Sequence, residues 1–207
     1  MKLSLPYEHL NLRRNPFGEV DLDRRAELAI ADVREIVSQL KSGRFAVQFL
    51  GGRGRGKTTH LLAIRAHFDG APYMHLAQDH RAIAAPEAPA GQPIFLDELQ
   101  RLPRSLRKKL FSGANPLVLG THRNFARALK RAGYEVRTVR PAGLTDATRV
   151  SGIFQRRIEH ARRATGAVPT IRPDTIADLL RRYGSNIRRM EHEMYERFQE
   201  LQGVCDV

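Results

Sequence analysis

The chain has 207 residues, with 35 Lys plus Arg against 22 Asp plus Glu, a formal net charge of +13 and one cysteine. Its 42% apolar content belongs to a globular protein and excludes disorder as the dominant state. No apolar run approaches the roughly 20 residues needed to cross a bilayer, and residues 1–6 lack a signal-peptide apolar stretch. Cys205 alone makes neither an internal disulfide nor a cysteine zinc site, so a reduced, cytoplasmic location without a membrane is expected.

The charge is unevenly spread. Residues 1–100 carry 13 basic and 12 acidic side chains, and residues 144–207 carry 11 and 9. Residues 101–143 carry 11 basic residues and a single acid, Glu135. That segregation points to a surface facing a polyanion.

In chain order, Asn15-Pro16-Phe17-Gly18 marks a turn in an N-terminal arm. Ala26, Ala29, Ile30, Val33, Ile36, Val37 and Leu40 recur at helical spacing, and Gly43 closes that segment. Strands are expected at residues 45–50, 72–77, 94–96, 117–119 and 134–139. Helices are expected at 57–68, 103–111 and 124–131, with an Ala/Pro/Gly-rich loop at 82–92. Strands alternating with helices imply a five-stranded parallel sheet covered on both faces. After Pro141 only helices follow, marked by Val150 to Ala161, by Ile176, Leu179 and Leu180, and by Ile187, Met190, Met194, Phe198 and Leu201. The chain thus reads as an arm and helix (1–44), an α/β core (45–143) and a small helical unit (144–207).

Gly51-Gly52-Arg53-Gly54-Arg55-Gly56-Lys57-Thr58, followed by Thr59, matches G-x-x-x-x-G-K-[ST] between a strand and a helix. Gly51, Gly52, Gly54 and Gly56 let backbone N–H groups turn towards phosphate oxygens, and the following helix N-terminus adds positive partial charge. Lys57 would reach the β- and γ-phosphates of ATP, and the Thr58 hydroxyl would help hold Mg²⁺. Ile94-Phe95-Leu96-Asp97-Glu98 is a buried strand ending in two carboxylates. Asp97 would bind Mg²⁺ through water, and Glu98 would act as general base on the attacking water. The strand ending at Thr121-His122 offers either side chain to the γ-phosphate or the lytic water; Thr121 also suits a helix cap. On the helix after the acids, Arg101, Arg104 and Lys108 fall on one face, flanked by Arg107 and Lys109. Arg123, Arg127, Lys130 and Arg131 repeat the theme. Such a stripe can follow a nucleic-acid backbone without reading sequence, and binding to DNA is the expectation. Complementary acids on another subunit, such as Asp21, Asp23 and Glu27, are the other use of that stripe.

From Phe45 to Arg189 these features resemble the AAA+ ATPase family, and the Asn15-Pro16-Phe17 arm is similar to that of small bacterial members related to transposition regulators and secretion-linked ATPases. The resemblance makes Gly51 to Thr58 the Walker A motif, Ile94 to Glu98 the Walker B motif, and Thr121 or His122 the sensor-1 position. Gly184-Ser185-Asn186-Ile187-Arg188-Arg189 resembles a sensor-2 motif, which implies a γ-phosphate contact for Arg188, with Arg189 as rival. A trans-acting arginine finger falls among Arg123, Arg127, Lys130 and Arg131, with Arg131 favoured, and Pro16 and Phe17 would approach the adenine. The family implies ATP hydrolysis with Mg²⁺, a homo-oligomeric ring or filament, and a partner protein. Two other classes compete: a small P-loop phosphotransferase, and a nucleotide-gated scaffold with negligible turnover.

Overall fold

The computed structural model describes residues 6–78 and 84–207, and the expected loop at 82–92 lies partly outside them. In chain order the elements are α1 (Leu22–Glu27), α2 (Arg34–Lys41), β1 (Phe45–Leu50), α3 (Lys57–Arg65), β2 (Tyr73–His75), β3 (Ile94–Asp97), α4 (Arg104–Ser112), β4 (Leu117–Thr121), α5 (Ala126–Arg131) and β5 (Glu135–Val139). Three longer helices follow: α6 (Ala147–Ala161), α7 (Pro173–Tyr183) and α8 (Ile187–Glu200). No helix among the described residues is long and apolar enough to cross a membrane.

The fold is α/β, with all five strands parallel in the order β2-β3-β4-β1-β5. β4 lies between β1 and β3, so their C-terminal ends line up along one edge, with Leu50 opposite Thr121. Side chains alternate between faces along each strand. Phe45, Val47 and Phe49 of β1 join Phe95, Val118 and the apolar residues of α2 and α3 in one core. Ala46, Ile94, Leu96, Leu117 and Leu119 face the other way, against Leu110, Phe111 and Leu129 of α4 and α5. Burial on both sides explains why these strands read as continuous apolar runs.

The periodic segment from Ala26 to Leu40 forms two helices rather than one. The Asp32 carboxylate accepts the Arg34 backbone N–H at 3.2 Å, a local turn that competes with helix continuation and opens α2 afresh.

The chain divides into two compact units, Arg25 to Pro141 and a second made from the residues up to Arg24 with Ala142 to Val207. The N-terminal arm therefore belongs with the C-terminal helices, whereas the sequence groups it with the helix before β1. Phe17 is 6% exposed, its ring edge-on to Phe154 at 5.0 Å and to Phe198 at 5.1 Å. Arg157 fixes the arm, donating from Nε to the Pro16 carbonyl (2.8 Å) and from Nη2 to the Gly18 carbonyl (2.7 Å), while Nη1 pairs with Glu191 (3.0 Å). Asn15 is buried too, donating to the Tyr195 carbonyl at 3.0 Å and accepting the Phe17 N–H at 3.0 Å. Pro16 and Phe17 are thus core residues, and neither ring is free to lie on an adenine. Truncating a fully packed phenylalanine costs about 3–5 kcal/mol. Phe17→Ala is expected to lower the unfolding free energy of the helical unit by about that amount, read by urea denaturation.

Candidate functional site

β1 delivers the chain into the glycine-rich loop, and the Gly51 N–H donates to the Thr121 carbonyl at 3.1 Å, tying loop to sheet edge. Gly54 (φ 74°) and Gly56 (φ 82°) take left-handed conformations that a side chain would strain. Arg55 folds back over the loop: a Cβ on Gly52 would meet its Nε at 3.3 Å. Arg53 points outward, 3.5 Å from Gln78 Oε1. α3 starts at Lys57, directly after the left-handed Gly56, so the helix's unpaired first-turn N–H groups adjoin the glycine-rich loop. The Gly56 carbonyl accepts the His60 backbone N–H (3.1 Å) and lies 2.8 Å from His60 Nδ1, whose ring packs on Phe49.

Lys57 is the centre of the charge arrangement. Its side chain is 6% exposed; Nζ donates to the Gly52 carbonyl at 3.0 Å and lies 3.4 Å from His122 Nε2 and 3.7 Å from Glu98 Oε1. Thr58, one residue on, donates to Asp97 Oδ2 at 2.5 Å. The Asp97 carboxylate also receives the Glu98 N–H at 3.0 Å, and His75 Nδ1 at the end of β2 stands 3.5 Å from it. Asp97 sits where it does because residue 120 is glycine: a Cβ there would fall 2.2 Å from Asp97 Oδ1.

Glu98 has a left-handed backbone (φ 64°, ψ 39°), which costs a non-glycine residue about 1–2 kcal/mol. Four side chains hold it there. Gln100 Nε2 donates to Oε2 at 2.6 Å and Arg101 Nη2 is 3.7 Å from the same oxygen. His122 Nε2 is 3.2 Å from Oε1, and Lys57 lies beyond it. Burial pushes the Glu98 carboxyl up, but the Gln100 hydrogen bond and the His122 and Lys57 charges outweigh it, leaving the pKa below the ordinary 4.5.

Thr121 and His122 part company. Thr121 is the last residue of β4 and fully buried; its hydroxyl accepts the Arg123 N–H (3.0 Å) and donates to the Arg123 carbonyl (2.9 Å), closing a turn. His122, just past the strand, is the one beside Lys57 and Glu98. The same turn is anchored from below by Gln48, fully buried on β1, which donates to Asn124 Oδ1 (2.7 Å) and Thr138 Oγ1 (2.8 Å) and accepts the Phe125 N–H (2.9 Å). Gln48, His75, Gln100 and Gly120 belong to no recognisable motif. Gln48 alone leaves a trace in the sequence, a polar residue inside an apolar strand.

The five basic residues expected on one nucleic-acid face divide. Arg101 turns inward, donating to the Leu76 carbonyl at 2.6 Å beside Glu98, because it belongs to a short turn before α4 and not to the helix. Arg107 is half-buried, donating to the Leu102 carbonyl at 2.9 Å and lying 4.8 Å over the Phe125 ring. Lys109 pairs with Glu87 at 3.1 Å. Arg104 and Lys108 are exposed, as are Arg123, Arg127, Lys130 and Arg131, and none of these six pairs with a carboxylate among the described residues. Arg131 ends α5, and Arg188 is exposed in the first turn of α8, in the helical unit.

Among the described residues no group of three or more His, Cys, Asp or Glu side chains is arranged to hold a metal. Mg²⁺ does not demand one: it usually takes one or two protein oxygens together with substrate phosphates and water. The adjoining Thr58 hydroxyl and Asp97 carboxylate supply oxygen donors of the required kind. No protein-family model matches the chain, and no curated protein matches it.

Gly120→Ala should destabilise the core unit by about 1–3 kcal/mol in urea unfolding, since Asp97 or β4 must shift. Ionised Glu98 stabilises the fold above its unfolded pKa, and that contribution is lost as pH falls through its lower folded value. Glu98→Gln is therefore expected to show a flatter loss of stability below about pH 4.5, measured by urea midpoints across pH.

Proposed function

We propose that the protein is an ATP phosphohydrolase that works with Mg²⁺ and carries a basic face for duplex DNA. The observation that carries the reading is the meeting of Lys57 and Thr58 of the phosphate loop with Glu98, just past β3, and Asp97, its last residue (3.7 and 2.5 Å), at one edge of the sheet. Loop N–H groups, the α3 N-terminus and Lys57 would neutralise the triphosphate. Thr58 and Asp97 would hold Mg²⁺, which when bound adds charge neutralisation at the β- and γ-phosphates. Glu98 would accept the proton of the attacking water, with His122 beside Oε1 to orient it.

The AAA+ resemblance supports the same reading and adds assembly. In a ring or filament Arg131 would reach the ATP of a neighbouring subunit, Arg188 would answer to the γ-phosphate, and a partner protein would be the object of the work. A phosphotransferase needs a second substrate pocket beside the γ-phosphate, whereas Glu98 flanked by His122 and Gln100 suits water as acceptor.

Removing a positioned general base costs about 10²–10⁴ in rate. Glu98→Gln is expected to keep ATP affinity while losing turnover by at least about a hundredfold, and Lys57→Ala to lose ATP binding, both read by nucleotide fluorescence and phosphate release. Full turnover in Glu98→Gln refutes the assignment. On the basic face, six unpaired cations predict that DNA affinity falls on the order of a thousandfold between about 50 and 200 mM salt. The double charge reversal Arg104→Glu, Lys108→Glu should lower both affinity and that slope in anisotropy titrations.

A further inference from the structure

The end of β2 brings a donor of another kind to the edge where Thr58 and Asp97 meet. His75 closes β2 directly opposite Asp97 in the parallel register. The residue after it fixes the backbone there: the Leu76 N–H donates to the Asp97 carbonyl at 3.1 Å, and Arg101 Nη1 donates to the Leu76 carbonyl at 2.6 Å. The imidazole itself is half exposed, with Nδ1 3.5 Å from Asp97 Oδ2.

Hydrogen bonding does not account for that approach. An N–H donor stands about 2.7–3.2 Å from its oxygen acceptor, and 3.5 Å lies beyond that range. Each Asp97 oxygen already has a closer donor, the Thr58 hydroxyl on Oδ2 (2.5 Å) and the Glu98 N–H on Oδ1 (3.0 Å). The ring makes no other polar contact among the described residues. Two ligands of a single ion, each about 2.1 Å from it, stand about 3.0–3.5 Å apart, which matches Nδ1 and Oδ2.

An imidazole nitrogen changes what such a site prefers. Mg²⁺ is hard, gives up water reluctantly and favours oxygen, whereas first-row transition ions take imidazole readily. One imidazole, one carboxylate and one hydroxyl leave the other positions of an octahedral ion to phosphate oxygens and water. That majority of oxygen donors suits Mn²⁺ better than the softer Zn²⁺ or Cu²⁺.

We propose that His75 supplies a nitrogen ligand to the ion that Thr58 and Asp97 hold beside the phosphates, so that the site binds Mn²⁺ in preference to Mg²⁺. The inference rests on the nucleotide-and-metal reading above and names the ion that this site selects.

The test is Mn²⁺ binding to the full chain with ADP, followed by electron paramagnetic resonance, with Mg²⁺ as competitor. Wild type is expected to bind Mn²⁺ at least about tenfold more tightly than Mg²⁺. His75→Phe keeps a flat ring and the strand propensity but no ligand atom. It should lose at least about tenfold in Mn²⁺ affinity while Mg²⁺ affinity moves by no more than about twofold. Pulsed spectra of the bound Mn²⁺ should show coupling to an imidazole nitrogen in wild type that the variant lacks. Nitrogen signals common to both, such as those of the nucleobase, cancel in the comparison. His75→Ala repeats it where the first variant folds poorly. Nitrogen coupling retained in a folded variant, or an Mn²⁺ to Mg²⁺ affinity ratio equal to that of wild type, overturns the assignment of His75. Failure of wild type to bind ADP with either ion overturns the nucleotide reading beneath it.

Discussion

The close approach of Asp97 to the backbone of β4 is the constraint on which the site depends. A carboxylate that is 1% exposed needs hydrogen-bond donors around it, and here the Thr58 hydroxyl and the Glu98 N–H supply them, with the His75 ring 3.5 Å away. All of that requires β4 to lie against β3 with no side chain at residue 120. β4 in turn carries the Thr121 carbonyl that receives the Gly51 N–H, so the phosphate loop hangs from the same strand. Loop, acids and the His122 turn are therefore positioned by one strand wedged between the other two.

Much of this was legible because it is local. A glycine-rich loop, the lysine that ends it and the strand before it are contiguous, and their physical demands coincide with residue type. Asp97 and Glu98 read as a pair for the same reason. The choice between Thr121 and His122 was not legible, since it turns on where β4 ends: the last strand residue keeps its side chain in the sheet and the next one escapes it. Arg101 misled for a related reason, its helical spacing to Arg104 being cut by a tight turn that swings it towards Glu98. Gln100 carried no signal at all, because a glutamine between two loops gains meaning only when both loops are placed. The arm residues Pro16 and Phe17 were misplaced because their contacts lie more than a hundred residues away in sequence.

The net charge of +13 also changes character once side chains are placed. Some of the basic residues in the segment after Glu98 have structural employment, as Arg101 on a β2-end carbonyl, Arg107 on a ring and Lys109 on Glu87 show. Most of the cations left over sit on α4 and α5, which cover the same face of the sheet, and Arg123 stands in the turn before α5. A surface of this kind is polar enough to stay solvated yet unbalanced enough to hold a counter-anion.

The burial of Phe17 among Phe154 and Phe198 has a consequence for biosynthesis. All five strands and both layers of helices around them lie between the arm and its partners in the chain. At a synthesis rate of about 5–20 residues per second, the arm leaves the ribosome on the order of ten seconds before α8 exists to receive it. During that interval the sheet unit can complete its own core, while Leu10, Leu12 and Phe17 remain an exposed apolar segment. Of the two units the helical one thus closes later, and it closes by capturing residues made before the sheet.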